Sequence, residues 1–162
     1  MVMRKQILIL KLFTLVILVA IASCKKEETY PVTPVISFKS LVKFQNVFSN
    51  DSLELTFSFT DGDGDIGTAE GDSVNRDVFV KLFEKKNGVF VEFVNLNAPL
   101  EYNIPYLVPR GNNSSLVGDI KINIDYNILQ PNDTIKYELY IKDRARHSSN
   151  SITTSEIITN IQ

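Results

Sequence analysis

The chain has 162 residues, of which 17 are basic and 19 are acidic, so its formal net charge is −2. It contains one cysteine, one histidine and no tryptophan. This composition excludes a disulfide framework and a cysteine–histidine zinc cluster. The acidic balance argues against a nucleic-acid partner, because phosphate binding requires a basic face.

The first 24 residues have the layout of a bacterial lipoprotein signal peptide. Basic residues precede an almost wholly apolar segment from Leu12 to Ala22, and small residues lead into Cys24. The apolar segment is too short to span a bilayer securely. We therefore expect residues 1–23 to be cleaved and Cys24 to carry a diacylglycerol anchor that holds the protein on a membrane. The alternative is a buried core helix, with Cys24 as an ordinary small hydrophobe.

Residues 24–34 are predicted to form a lipidated tether. Charged and proline-containing segments bury little surface, so this one is expected to extend away from the membrane. The charges that follow the cysteine also resemble the export signal of surface-exposed lipoproteins of Bacteroidota; they are Lys25, Lys26, Glu27 and Glu28. The resemblance implies a lipid-anchored protein of the outer membrane that faces the cell surface.

Residues 35–162 are predicted to form one all-β domain. Apolar and polar residues alternate with a period of two in the segments 53–60, 120–124 and 135–141, as in half-buried antiparallel strands. Two further strands flank the dipeptide Asn87-Gly88, which is typical of a hairpin turn. Strands that begin near residue 35 and span 151–159 bring the total to about seven or eight. The pattern favours an antiparallel immunoglobulin-like β-sandwich.

The segment from Asp133 to Asn150 resembles the end of an immunoglobulin-like or fibronectin-III-like domain. There a DxAGNxSN loop joins the last two strands, and in this chain Arg146 and His147 stand where glycine and asparagine are usual. Together with 59–67 (FTDGDGDIG) and 102–120, the segment resembles surface lipoproteins of Bacteroidota. The resemblance covers most of residues 35–160 and implies a fold without implying an activity, because such sandwiches host unrelated functions.

The most acidic segment follows the predicted strand 53–60. It contains six carboxylates, which repel one another unless they are solvated or neutralised: Asp61, Asp63, Asp65, Glu70, Asp72 and Asp77. Calcium suits such a loop, because it takes six to eight oxygen ligands and glycines let the backbone wrap it. The glycine position and the missing helices exclude an EF-hand. In an immunoglobulin-like topology Asp143 lies at the same end, so the predicted ligands are Asp61, Asp63, Asp65, Asp72 and Asp143. The alternative is a plain Asp-Gly turn.

The long connection between residues 95 and 115 is a second candidate site, for a sugar or a partner protein. Long ordered loops are often functional, and this one offers Tyr102, Tyr106 and Arg110 as candidate ligand-binding residues. The alternative is an irregular edge strand in which residues 102–108 cover the core.

Catalytic motifs are nearly absent from the sequence. His147 is the only histidine, and its polar loop lacks a nucleophile elbow or metalloprotease motif. We therefore expect a non-catalytic binding or accessory module of a cell-surface assembly, whose partner is another envelope protein or a glycan. The alternative function is a small surface hydrolase of polysaccharide or peptide that uses the acidic loop.

Overall fold

A computed structural model describes residues 29–44, 52–69, 71–72, 74–94, 96, 98–109, 114–125 and 134–159. The predicted signal peptide, the anchor residue Cys24, the charges at 25–28 and Arg110 lie outside the described residues. The described residues contain no helix with the length and hydrophobicity that crossing a membrane requires.

The described residues form nine antiparallel strands in two sheets. The strands are β1 (Val35–Phe44), β2 (Ser52–Asp61), β3 (Val78–Lys86), β4 (Val89–Glu92), β5 (Leu100–Tyr102), β6 (Leu116–Asp125), β7 (Thr134–Ile141), β8 (Ile152–Thr153) and β9 (Ile157–Ile158). One sheet has the order β1-β2-β6 and the other β4-β3-β7-β8, with β5 paired to β3 and β9 paired to β7. These orders correspond to strands A-B-E and C′-C-F-G of an immunoglobulin-like sandwich. The predicted all-β fold is confirmed.

The strand count exceeds the prediction partly because the last predicted strand is divided in two. β8 pairs Thr153 with Glu138, whereas β9 pairs Ile157 with Ile135, so the second register is shifted by one residue. One extra residue in a strand interrupts the ladder as a bulge does. The other addition is β5, a three-residue strand inside the long connection.

The core lies between the two sheets and follows the period-two pattern of the sequence. The inward positions of β2, β3, β6 and β7 are almost fully buried, and each large apolar side chain removed from water contributes about 1.5–3 kcal/mol. They are Leu53, Leu55, Phe57, Phe59, Val78, Val80, Leu82, Ile122, Ile124, Ile135, Tyr137, Leu139 and Ile141. The predicted hairpin turn is present, with φ of 51° at Asn87 and 82° at Gly88.

Four strand termini meet at one end of the sandwich, which we call the loop end. β2 finishes at Asp61 opposite Leu116 of β6, and β3 starts at Val78 opposite Ile141, the last residue of β7. Hydrogen bonds join the loops that leave these strands, from the amide of Lys142 to the carbonyl of Asp77 and from the amide of Arg144 to the carbonyl of Asp65. The Asn87–Gly88 turn lies at the opposite end, because β3 runs away from the loop end.

Asn150 fastens the first strand to the loop before β8. Its side-chain amide donates to the carbonyl of Ile36, and its side-chain carbonyl accepts the Ile36 amide proton, both at 2.9 Å. Ile36 is itself buried in the core. The asparagine that ends the DxAGNxSN-like loop is therefore a bridge between the two sheets.

Asn150→Ala should destabilise the fold by about 1–2 kcal/mol, because it removes two hydrogen bonds to the backbone of a buried residue. Urea unfolding of the full chain measures the change. Asn123→Ala, at an exposed position of β6, is the matched control and should leave the unfolding free energy within about 0.5 kcal/mol of the parent. Equal effects of the two substitutions would show that the bridge contributes nothing.

Candidate metal centre

Three carboxylates gather where β2 passes into the acidic loop. Asp61, Asp63 and Asp65 each place one oxygen within 4.8 Å of the others. Asp61 is completely buried, Asp65 is half-buried and Asp63 is exposed. The cluster therefore extends from the buried Asp61 to the solvent-exposed Asp63.

Strand periodicity explains why Asp61 is buried. Phe57, Phe59 and Asp61 occupy alternate positions of β2 and so share its inward face. Asp143 continues the inward face of β7 in the same way, two residues beyond Ile141, and is also fully buried. The alternation of apolar and polar residues therefore carries a signal for the burial of both aspartates.

Backbone amides satisfy only part of the cluster's hydrogen-bonding capacity. The Asp65 amide donates to Oδ2 of Asp61 at 2.9 Å, and the Ala145 amide donates to Oδ2 of Asp65 at 2.9 Å. Within the described residues, Oδ1 of Asp61 and Oδ1 of Asp65 are buried and accept no hydrogen bond. Buried carboxylate oxygens without partners are costly, so both atoms are suited to a cation.

The electrostatic environment of the cluster disfavours its negative charge. Burial raises the pKa of Asp61 from 3.8 to about 6, against the opposing hydrogen bond from the Asp65 amide, and the charges of Asp63, Asp65 and Asp143 add to the increase. Burial also raises the pKa of Asp65; the Ala145 amide opposes the increase, and Asp143 and Asp63 reinforce it. A bound cation would neutralise the buried charge and relieve the repulsion that adds to both increases in pKa.

Gly64 lets the acidic loop lie directly against the long connection. Its φ is +71°, and a Cβ atom there would collide with the Ser114 carbonyl and the Pro109 ring. The Ser114 hydroxyl in turn donates to the carbonyl of Gly62 at 3.1 Å. The glycines between the aspartates therefore do more than permit a turn. Because they lack a Cβ atom, the long connection can pack directly against the acidic loop and form one side of the site.

Arg144 holds the outer side of the same loop. Its guanidinium donates to the carbonyls of Ile66 at 3.0 Å, Gly64 at 3.3 Å and Gly67 at 3.4 Å. The guanidinium also stacks on the ring of Tyr106, with its carbon 4.7 Å from the ring centroid. Arg144 is a functional residue that was not predicted from the sequence, although its position next to Asp143, a predicted ligand, was a usable signal.

Asp143 lies beside the cluster, but its oxygens are occupied. His147 donates its amide to Oδ1 at 2.7 Å, and Nδ1 of its ring is 2.9 Å from Oδ2. The resulting turn places Arg146 at φ 70°, the left-handed region in which the similar loops carry glycine. All hydrogen bonds of His147 in the described chain go to Asp143 and close the turn that carries Arg144.

Asp72 and Asp77 belong to other parts of the loop. Asp72 is half-buried and accepts hydrogen bonds from the Asn75 side chain and from the amides of Asn75 and Val74, which lower its pKa. Asp77 is buried and accepts from the Thr68 hydroxyl and the Ile104 amide. The structure thus gathers Asp61, Asp63 and Asp65, leaves Asp72 closing its own turn and uses Asp77 to fasten the long connection.

The candidate ligand-binding tyrosines are not gathered into one site. Tyr102 ends β5 and packs against the core, and its burial raises its pKa. Ile104 is buried, whereas Tyr106 and Val108 are exposed. The long connection therefore covers the core through Tyr102, Ile104 and Leu107, and Pro109 then lies against Gly64 of the acidic loop.

Comparison of the chain with protein-family models, with curated proteins and with solved structures found no match. The class of this protein follows from the fold and the site alone: an immunoglobulin-like β-sandwich with a three-aspartate cluster at its loop end.

Without metal, the domain should become more stable as the pH falls from 7 to 5. The pKa of Asp61 is about 6 in the folded chain and 3.8 as its ordinary value, so the folded state binds the proton more tightly. The resulting gain begins as the pH falls through about 6 and is complete below the ordinary value.

Thermal melts in chelator at a series of pH values measure this dependence. Asp61→Asn should flatten it and raise the melting temperature at pH 7, whereas Asp119→Asn, which loses only an exposed pair with Lys39, should leave it unchanged. A melting temperature that falls between pH 7 and pH 5 in the parent protein would contradict the expectation.

Proposed function

We propose that this protein is a non-catalytic, lipid-anchored module of the cell envelope whose loop end is organised by a calcium ion. The observation that carries the proposal is the cluster of Asp61, Asp63 and Asp65, in which two buried carboxylate oxygens accept no hydrogen bond from the described residues. The module serves a cell-surface assembly through binding, with another envelope protein or a glycan as its partner.

The donor set favours calcium over other common metal ions. All three side chains offer hard carboxylate oxygens, which suit calcium, magnesium and manganese, whereas zinc favours nitrogen and sulfur ligands. Calcium tolerates irregular geometry with six to eight oxygens, and magnesium demands a small octahedral cage. The acidic loop supplies carboxylates from alternate residues with glycines between them, and this irregular arrangement suits calcium better than magnesium.

The spacing of the carboxylates favours binding over hydrolysis. A glycosidase needs two carboxyl groups on opposite sides of a scissile bond, whereas Asp61, Asp63 and Asp65 converge, with one oxygen of each within 4.8 Å of the others. Asp143 holds Nδ1 of His147, and no serine or threonine hydroxyl of the described residues hydrogen-bonds the other ring nitrogen, as a catalytic triad requires. These features support a structural metal centre on a binding module.

Calcium should raise the melting temperature of the full chain in detergent. A ligand that binds only the folded state stabilises it by about 2.7 kcal/mol at a hundredfold excess over its Kd. For a domain of this size the change corresponds to an increase on the order of 10 °C in millimolar calcium relative to chelator. Magnesium should give a smaller increase.

Substitutions within and beside the cluster test the origin of that increase. Asp63→Asn and Asp65→Asn should each lose most of the calcium effect while the metal-free domain stays folded, because each also relieves repulsion. Asp72→Asn is the matched control: it should lower stability equally with and without calcium, since Asp72 closes a turn outside the cluster. Identical melting temperatures of the parent in calcium and chelator would refute the metal centre.

The lipid anchor is tested separately from the metal. Cys24→Ala should abolish acylation and release the protein from the membrane pellet, because the other residues of the predicted lipobox carry no acceptor sulfur. Fractionation in chelator, with Ser23→Ala as an acylation-competent control, measures the release. A Cys24→Ala protein that stays with the membrane without a lipid would count against the anchor.

A further inference from the structure

The N-terminal entry of the domain lies at the metal centre. The amide of Gly62, between the first two aspartates of the cluster, donates to the carbonyl of Pro31 at 2.7 Å. Cys24, the proposed anchor, precedes Tyr30 by only six residues, which span about 20 Å when fully extended. A chain anchored at Cys24 therefore keeps its loop end close to the membrane surface.

Three exposed apolar side chains lie at the same end of the sandwich, on segments that contact the acidic loop or the arginine that holds it. We call Val32, Tyr106 and Val108 the apolar rim; they are 51, 52 and 64 % exposed. Val32 follows the residue that accepts the Gly62 hydrogen bond, Tyr106 lies on the arginine that holds the acidic loop, and Val108 precedes Pro109, which lies against Gly64. Apolar side chains grouped around a polar site mark an interaction surface.

The charge of the cluster makes this surface conditional on calcium. Without a cation, Asp61, Asp63 and Asp65 repel any anionic surface. Because Asp63 is exposed, a calcium ion bound by the cluster faces solvent on that side, and calcium accepts further oxygen ligands there. Phosphate oxygens of lipid headgroups are ligands of this kind.

We infer that the loop end docks on an anionic phospholipid surface when calcium is bound. The ion joins the three aspartates to headgroup phosphates, and the apolar rim enters the interfacial layer beside them. The inference rests on the proposed calcium centre and names headgroup phosphate as the ligand that the bound ion contacts outside the protein. The short link to Cys24 and the position of the apolar rim both favour a membrane surface as the partner of the loop end.

The absence of tryptophan provides a clean probe of this docking. Val108→Trp places a single tryptophan in the apolar rim, and Val89→Trp places one at the opposite end of the sandwich, at a position that is also 64 % exposed. Each full-chain variant is reconstituted into vesicles of phosphatidylcholine and phosphatidylglycerol with brominated acyl chains. Tryptophan emission is then compared in calcium and in chelator.

We expect calcium to quench the Val108→Trp emission and shift it to shorter wavelength, and to leave the Val89→Trp emission unchanged. Adding Asp65→Asn to Val108→Trp should abolish the response, and vesicles of phosphatidylcholine alone should weaken it. Val32→Trp provides a second reporter in the apolar rim, with the same expected response, if Val108→Trp does not fold.

Three outcomes would overturn the inference. If calcium raises the melting temperature but leaves the rim tryptophan unquenched, docking is wrong and the proposed calcium centre stands. If quenching is equal in calcium and chelator, the anchor alone brings the loop end to the lipid. If calcium alters neither the melting temperature nor the emission, the metal centre and the docking fall together.

Discussion

Close repulsion among carboxylates is the constraint on which the loop end of this protein depends. Asp61 occupies an inward position of β2, so its charge lies within the domain rather than in water. Asp63 and Asp65 follow at once, and Asp143 approaches from the other sheet. Two backbone amides and one guanidinium offset part of this charge, and two buried oxygens are left for a cation.

The groups that offset the charge also hold the loops together. The 143–147 turn supplies the Ala145 amide to Asp65 and the Arg144 guanidinium to three carbonyls of the acidic loop. Asp77 fastens the long connection through the amide of Ile104. Because the residues around the cluster come from different segments, the geometry of the candidate metal site and the fold of the loop end are coupled. A cation bound there would strengthen both.

The same coupling relates the proposed metal to the orientation of the domain relative to the membrane. The tether enters beside Gly62, so a metal at the cluster would fix the part of the domain nearest to the proposed anchor. The sheets would then extend outward from the membrane, with the Asn87–Gly88 turn at the far end. An envelope module oriented in this way would contact lipid through its loop end and leave the faces of its sheets for partners.

The sequence by itself determined the fold class, because its period-two alternation is a local property that fixes which face of each strand is buried. It also located the hairpin turn at Asn87–Gly88 and identified the acidic loop, including all three aspartates of the cluster. It failed at the division of the last strand: a register shift of one residue reverses the phase of the alternation, but residues 153–156 are all polar, so no apolar residue marks where the phase changes.

Only the tertiary structure decided how the carboxylates are used. The alternation of β2 places Asp61 on the inward face, but only the packing of neighbouring segments leaves its Oδ1 without a hydrogen-bond partner among the described residues, whereas Asp72 closes a separate turn. Asp143, Asp77, Arg144 and the tether entry reach their places through contacts between segments that are distant in the chain. Burial and hydrogen bonding between such segments depend on how the two sheets pack, so residue type and spacing alone cannot specify them.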